Sequence, residues 1–183
     1  YAASWDEPHL VVSGAFEPSR RYDITVSGLI DRHGSTQEKP FRATLERAPE
    51  DASVTMASGV LLLDEARMKA FELTTRNVAT AELALWAVDD ADLGRAVSQV
   101  RAGTRPLAAA TTTIEVPVAA RENQLVTTAV DLSKSLDSHR RYIAAIRARD
   151  AAFGADLPDA RIASPVALVF PGSAESLAVH VEK

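Results

Sequence analysis

The side chains that could do chemistry are few and scattered. The four histidines are His9, His33, His139 and His180, and no pair has the spacing of a metal motif such as His-Glu-x-x-His. A histidine without partners is weak ground for acid–base catalysis. His33 reads as a turn residue before Gly34, and His180 as the polar side of a strand. The densest acidic group is Asp89, Asp90 and Asp92. It lacks the glycine and distal glutamate of an EF-hand loop, and it suits a helix start, where carboxylates cap free N–H groups and favour the dipole. No serine sits in a Gly-x-Ser-x-Gly elbow. Gly28 and Gly34 stand too far apart for a phosphate-binding loop. The chain has no cysteine, so it has no thiolate nucleophile, disulfide, cysteine zinc site or thioester. These residues predict no catalytic site, no cofactor and no metal, hence a protein that is not an enzyme. Trp5 and Trp86 are the candidate binding aromatics. Trp86 lies in the most apolar stretch, which favours burial over ligand contact.

Charge points the same way. There are 20 basic and 25 acidic residues, a net charge of -5 with the signs interspersed. Nucleic-acid binding needs a concentrated basic face, so no nucleic-acid partner is expected. The one dense basic stretch, Arg140, Arg141, Arg147 and Arg149, reads as a solvated edge or helix face.

The elements that would carry these residues are mostly strands. Tyr22, Ile24 and Val26 alternate with polar neighbours. So do Phe41, Ala43 and Leu45; Phe71 and Leu73; Ile114, Val116 and Val118; Val126, Thr128, Val130 and Leu132; and Leu177, Val179 and Val181. A period of two puts one set on a buried face and the other towards water. Ala81 to Val88 is apolar on both sides of the alternation apart from Glu82, as in a central strand covered on both faces. Val166 to Phe170 is a short apolar run stopped by Pro171-Gly172. Leu93, Ala96, Val97 and Val100 have helical spacing, with Arg101 and Gly103 suited to the helix end. Tyr142 to Arg149 fits a helix or a strand equally, and its alanines favour the helix locally. Many short strands separated by turns predict an all-β fold of antiparallel sandwiches with one short helical excursion. Phe71, Leu73, Leu83, Leu85, Ile114, Val116, Val130 and Leu132 should share one core. The Pro-Glu-Asp triplet at 49–51 sets a domain boundary, giving units 1–48 and 49–183. The first is too short for a whole sandwich and reads as the end of one. Protease nicks are expected in exposed polar segments such as 150–159.

Two stretches together resemble the bacterial alpha-2-macroglobulins. In Gly14–Gly34, residues Phe16, Pro18, Tyr22, Gly28, Leu29, Asp31 and Gly34 are similar to the closing strands of an early macroglobulin domain. In Gly59–Val88, residues Phe71, Leu73, Asn77, Val78, Leu83, Leu85 and Val88 resemble the next domain's strand pair, followed by an acidic helical excursion. Thr127, Asp131, Leu132 and Tyr142–Ala145 look like its closing strands, although Arg140-Arg141 stands where the family has glycine. Residues 163–181 resemble the strand that precedes or begins a further domain. The resemblance implies two macroglobulin-like, immunoglobulin-like domains: the C-terminal part of one over 1–48, and a second over 49–183 that reaches towards the start of a third. It implies a structural part of an exported bacterial protease-trapping inhibitor, periplasmic or extracellular. Its partners would be neighbouring domains of the parent chain and, through the full-length protein, target proteases. Membrane contact would come only through an anchor outside this chain. The Cys-x-Glu-Gln thioester motif is absent, so no functional residue carries over. The competing reading is a surface or adhesin immunoglobulin-like module.

Overall fold

The computed structural model describes residues 11–30, 33–157 and 165–172. Trp5, His9, Asp31, His180 and the expected strand Leu177–Val181 lie outside the described residues. Ten strands follow in order: β1 (Arg21–Val26), β2 (Phe41–Glu46), β3 (Ser53–Met56), β4 (Gly59–Leu63), β5 (Phe71–Arg76), β6 (Val78–Val88), β7 (Thr112–Pro117), β8 (Leu125–Val130), β9 (Arg141–Ala151) and β10 (Val166–Pro171). Helix α1 (Glu65–Lys69) precedes β5. A 3₁₀ turn (Asp90–Asp92) leads into helix α2 (Leu93–Arg101). The fold is all-β, and the chain divides into two compact units, Tyr1–Ala48 and Pro49–Lys183.

In the first unit, β1 and β2 pair antiparallel over six residues, with Tyr22 opposite Leu45, Ile24 opposite Ala43 and Val26 opposite Phe41. The alternation therefore gathers six apolar side chains on one face. Phe41 and Leu45 are exposed there. Phe16 packs edge-on against Tyr22, with ring centroids 5.0 Å apart. Among the described residues this unit has two strands, fewer than the three or more that independent stability needs.

The second unit is a sandwich. One sheet has five strands in the order β4-β10-β9-β6-β7, and the other has three, β3-β5-β8. All pairings are antiparallel except one: β10 lies parallel to β4, with Ala167 opposite Gly59 and Pro171 opposite Leu63. The five-stranded sheet is thus mixed. The main core lies between the sheets and holds Phe71, Leu73, Leu83, Leu85, Val116, Val130 and Leu132, with Ile114 packed against it, so the predicted set does share one core.

The opposite face of the five-stranded sheet carries a second, smaller core under α2. On β9, Tyr142, Ala144 and Ile146 face the main core while Ile143 and Ala145 face the second. On β10, Ala167 and Val169 face the main core, and Val166 and Leu168 the second. This double covering explains why Ala81–Val88 shows no clean alternation: Leu83 and Leu85 point one way, Trp86 and Ala84 the other. It also decides Tyr142–Arg149, which is strand. Alanine's helix preference amounts to a few tenths of a kcal/mol per residue, and burial of both faces outweighs it.

Helix α2 forms where its spacing predicts, and Ala96 is its buried residue. It ends in a Schellman motif. Gly103 N donates to Val100 O at 3.0 Å and Thr104 N to Gln99 O at 2.9 Å, with Gly103 at φ 64. The helix start differs from expectation. Neither Asp89 nor Asp92 makes a side-chain cap bond. Asp90 pairs with Arg141 and Asp92 with Arg95 at 3.0 Å, because cations within reach compete for the same carboxylates. Helix α1 is additional to the predicted excursion. Asp64 caps it by accepting from Arg67 N at 2.8 Å, and Lys69 bonds Glu65 at 2.6 Å.

Candidate functional site

Three places in the second unit bring polar or aromatic side chains together. The first is an amide knot around the buried Asn77. The chain contains only two asparagines, and they bond each other. Asn77 Nδ2 donates to Glu50 O at 2.6 Å and to Asn123 Oδ1 at 3.0 Å. Asn123 N donates to Asn77 Oδ1 at 2.7 Å, and Glu50 N to Asn123 Oδ1 at 2.8 Å. Ala152 N closes on Asn77 O at 2.8 Å. Asn77 is 1% exposed, and both residues are left-handed, at φ 52 and φ 56. Asparagine tolerates that region better than other side-chain-bearing residues. The knot ties four points of the chain, at Glu50, Asn77, Asn123 and Ala152. Both side-chain groups of Asn77 are used on the protein's own backbone and on Asn123, so the role of the knot is to hold loops. In the sequence Asn77 stands out only within the macroglobulin resemblance; the clue to the pair is that both asparagines of the chain lie beside strand starts.

The second place is the basic stretch. It is neutralised residue by residue. Arg147 Nη2 lies 2.7 Å from Glu82, Arg149 pairs with Glu115, Arg141 with Asp90, and Arg140 approaches Asp137 at 4.0 Å. Glu82 stands directly opposite Glu115 on β6 and β7 and opposite Arg147 on β9. Two carboxylates facing across a ladder repel, and the arginines offset this. Hydrogen bonding and attraction from Glu82 raise the Arg147 pKa above its ordinary value, against the cost of burial. Arg147→Ala should therefore destabilise the unit by about 1 kcal/mol, and Glu82→Gln in that background should return most of the loss. Urea midpoints of the two single variants and the double variant give the coupling; additive effects would show that the pair does not interact.

The third is a cleft of 340 Å³ beside α2, with Trp86 and Ile143 at its base, Ala96 and Gln99 on the helix side, and Pro106 and Leu107 on the loop side. Trp86 is 9% exposed and its Nε1 donates to Ala108 O at 2.8 Å. The indole thus spends its one donor on the protein's own loop, as expected for a core tryptophan. Arg141 stacks over Phe170 nearby in the second core, 5.8 Å from the ring centroid.

The histidines do not join these places. His33 lies in a turn of the first unit. His139 N donates to Asp137 Oδ1 at 2.9 Å in a local turn of the second. Among the described residues, no three of His, Asp and Glu gather as a metal site would need. No helix among them is long and apolar enough to cross a membrane.

No family model and no curated protein matches the sequence. Solved structures do share the fold. A crystal structure of native alpha-2-macroglobulin from Escherichia coli spanning domains MG0-NIE-MG1 aligns over 85% of this chain and 51% of its own, with TM-score 0.51 and 19% identity. A mutant of the Salmonella alpha-2-macroglobulin aligns over 85% of this chain and 9% of its own, with TM-score 0.56 and 19% identity. The native conformation of the E. coli protein, from cryo-electron microscopy, aligns over 86% and 10%, with TM-score 0.54 and 18% identity. The chain spans about half the length of the first and about a tenth of the other two. The likeness is one of fold: this chain is built on the strand arrangement found in bacterial alpha-2-macroglobulins.

Proposed function

We propose that this chain is a non-catalytic scaffold segment of a larger alpha-2-macroglobulin-like protein of a bacterium, exported to the periplasm or beyond. The observation that carries the reading is the fold likeness over 85% of the chain to proteins of that name. Residues 1–48 form the end of one macroglobulin-like domain, and the open apolar face of β1 and β2 is where the rest of that domain packs. Residues 49–183 form a second macroglobulin-like domain. Its basic stretch, Arg140, Arg141, Arg147 and Arg149, is paired on its own surface and the indole donor of Trp86 is used internally, which suits a part that holds others in place. The partners are the neighbouring domains, and target proteases are met only by the whole molecule.

Trapping by shielding needs an enclosure larger than a protease, and 183 residues cannot build one. Trypsin mixed with the purified chain at equal molarity should cleave a large protein substrate and a small chromogenic peptide at unchanged rates. The full-length parent should instead slow the large substrate and spare the small one. Protection of the large substrate by this chain alone would overturn the scaffold reading.

A further inference from the structure

The loop between α2 and β7 differs from three other described connections of the second unit. The loop before β8 is tied by the asparagine knot and by Val118 N to Ala79 O at 3.0 Å. The 131–140 connection is held by Asp131 and Asp137, which accept from Ser133 N and His139 N at 2.9 Å each. The turn after β9 is closed by Ala155 N to Ala152 O at 3.1 Å. Between Arg105 and Ala110, by contrast, no backbone N–H donates to another backbone carbonyl among the described residues, and the segment belongs to no helix or strand. Leu107 there is 105% exposed, the highest value among the large apolar side chains of the described residues.

A protease must draw several residues of its substrate into an extended, unpaired form, so loops of this kind are cut first. The residue types then choose the enzyme. Pro106 follows Arg105, and a proline after the scissile bond blocks cleavage at that arginine. Arg101 lies inside α2. The carbonyl of Ala108 is held by Trp86. Leu107 remains, with a free carbonyl and an exposed aliphatic side chain. We propose that Leu107–Ala108 is the primary cleavage site within residues 49–157 for endoproteases with an apolar specificity pocket. Water adds across the peptide bond: the Leu107 carbonyl becomes a carboxylate and the Ala108 nitrogen an amine. The cut separates the end of α2 from β7 without removing a residue from the main core. It goes beyond the scaffold reading and does not depend on it.

Phe153 is the competing site. It is 48% exposed, but it sits at φ 57 in the closed turn after β9, with Ala152 N also bonded to Asn77 O at 2.8 Å. The expected segment 150–159 is in this way partly withdrawn: Asp150 and Ala151 belong to β9, 152–155 are pinned, and 158–159 lie outside the described residues. The test is limited digestion of the whole chain with chymotrypsin, followed by intact mass. Within residues 49–157, the earliest cut should fall after Leu107. Leu107→Asp should slow that cut by about tenfold or more, since a carboxylate is rejected by an apolar pocket, with tryptophan emission unchanged to show that the fold persists. An earliest cut at Phe153 or elsewhere in 49–157 would overturn the proposal. So would equal cleavage of the folded variant at the same bond.

Discussion

Asn77→Ala should cost about 3–5 kcal/mol of stability, the sum of two effects. Removing the amide takes from Asn123 N and Glu50 O the bonds they make to it, and because both residues are half-buried each loss costs roughly 1–2 kcal/mol, the lower part of the usual range. Alanine must also adopt φ 52, which costs about 1 kcal/mol more than it costs asparagine. Asn77→Gly separates the two, because glycine accepts that backbone freely but cannot rebuild the bonds. It should recover about 1 kcal/mol of the loss. Urea unfolding followed by circular dichroism reports both variants. If alanine and glycine each cost under about 0.5 kcal/mol, the knot holds nothing.

A loss of comparable size is expected at Leu85. It is fully buried in the main core, and Leu85→Ala should cost about 2–5 kcal/mol. The upper half is favoured by its surroundings. Its partner across the β6–β9 ladder is Ala144, and Ala81 and Ala167 lie in the same core. Methyl groups cannot swing into a void as longer side chains can, so the cavity should stay open. A change below about 0.5 kcal/mol in chemical denaturation would mean that Leu85 is not part of the core.

The sequence was informative where one face of an element meets water. β1, β2, β5, β7 and β8 could be located from alternation, and α2 from its spacing, since each keeps a wet side that marks the period. β9 was ambiguous because its first half has no wet side: Tyr142, Ile143, Ala144, Ala145 and Ile146 are all buried, in two different cores. β3 and β4 are short edge strands, and Val60 is exposed, so neither has a strong pattern to read. Asn77 and Asn123 were invisible as a pair because 46 residues separate them, and only the closure of the sandwich brings them together. The negative reading of the chemistry rested on spacing. The ion pairs of Arg141, Arg147 and Arg149 depend on strand register, which no local pattern encodes.

The parallel pairing of β10 with β4 has a kinetic consequence. One strand lies near the start of the second unit and the other is its last described strand, so this ladder closes a loop of about a hundred residues. Such a contact comes late, because the entropy of bringing distant segments together is lost before the pairing repays it. As the polypeptide emerges from the ribosome, β6 and β7 can pair early, while β9 must wait for Val166–Pro171 before its second edge is covered. During that interval β9, with its five consecutive core residues Tyr142–Ile146, has one row of amides open. The interval ends only when the last strand arrives, and until then that edge is the chain's point of vulnerability to mispairing with another copy.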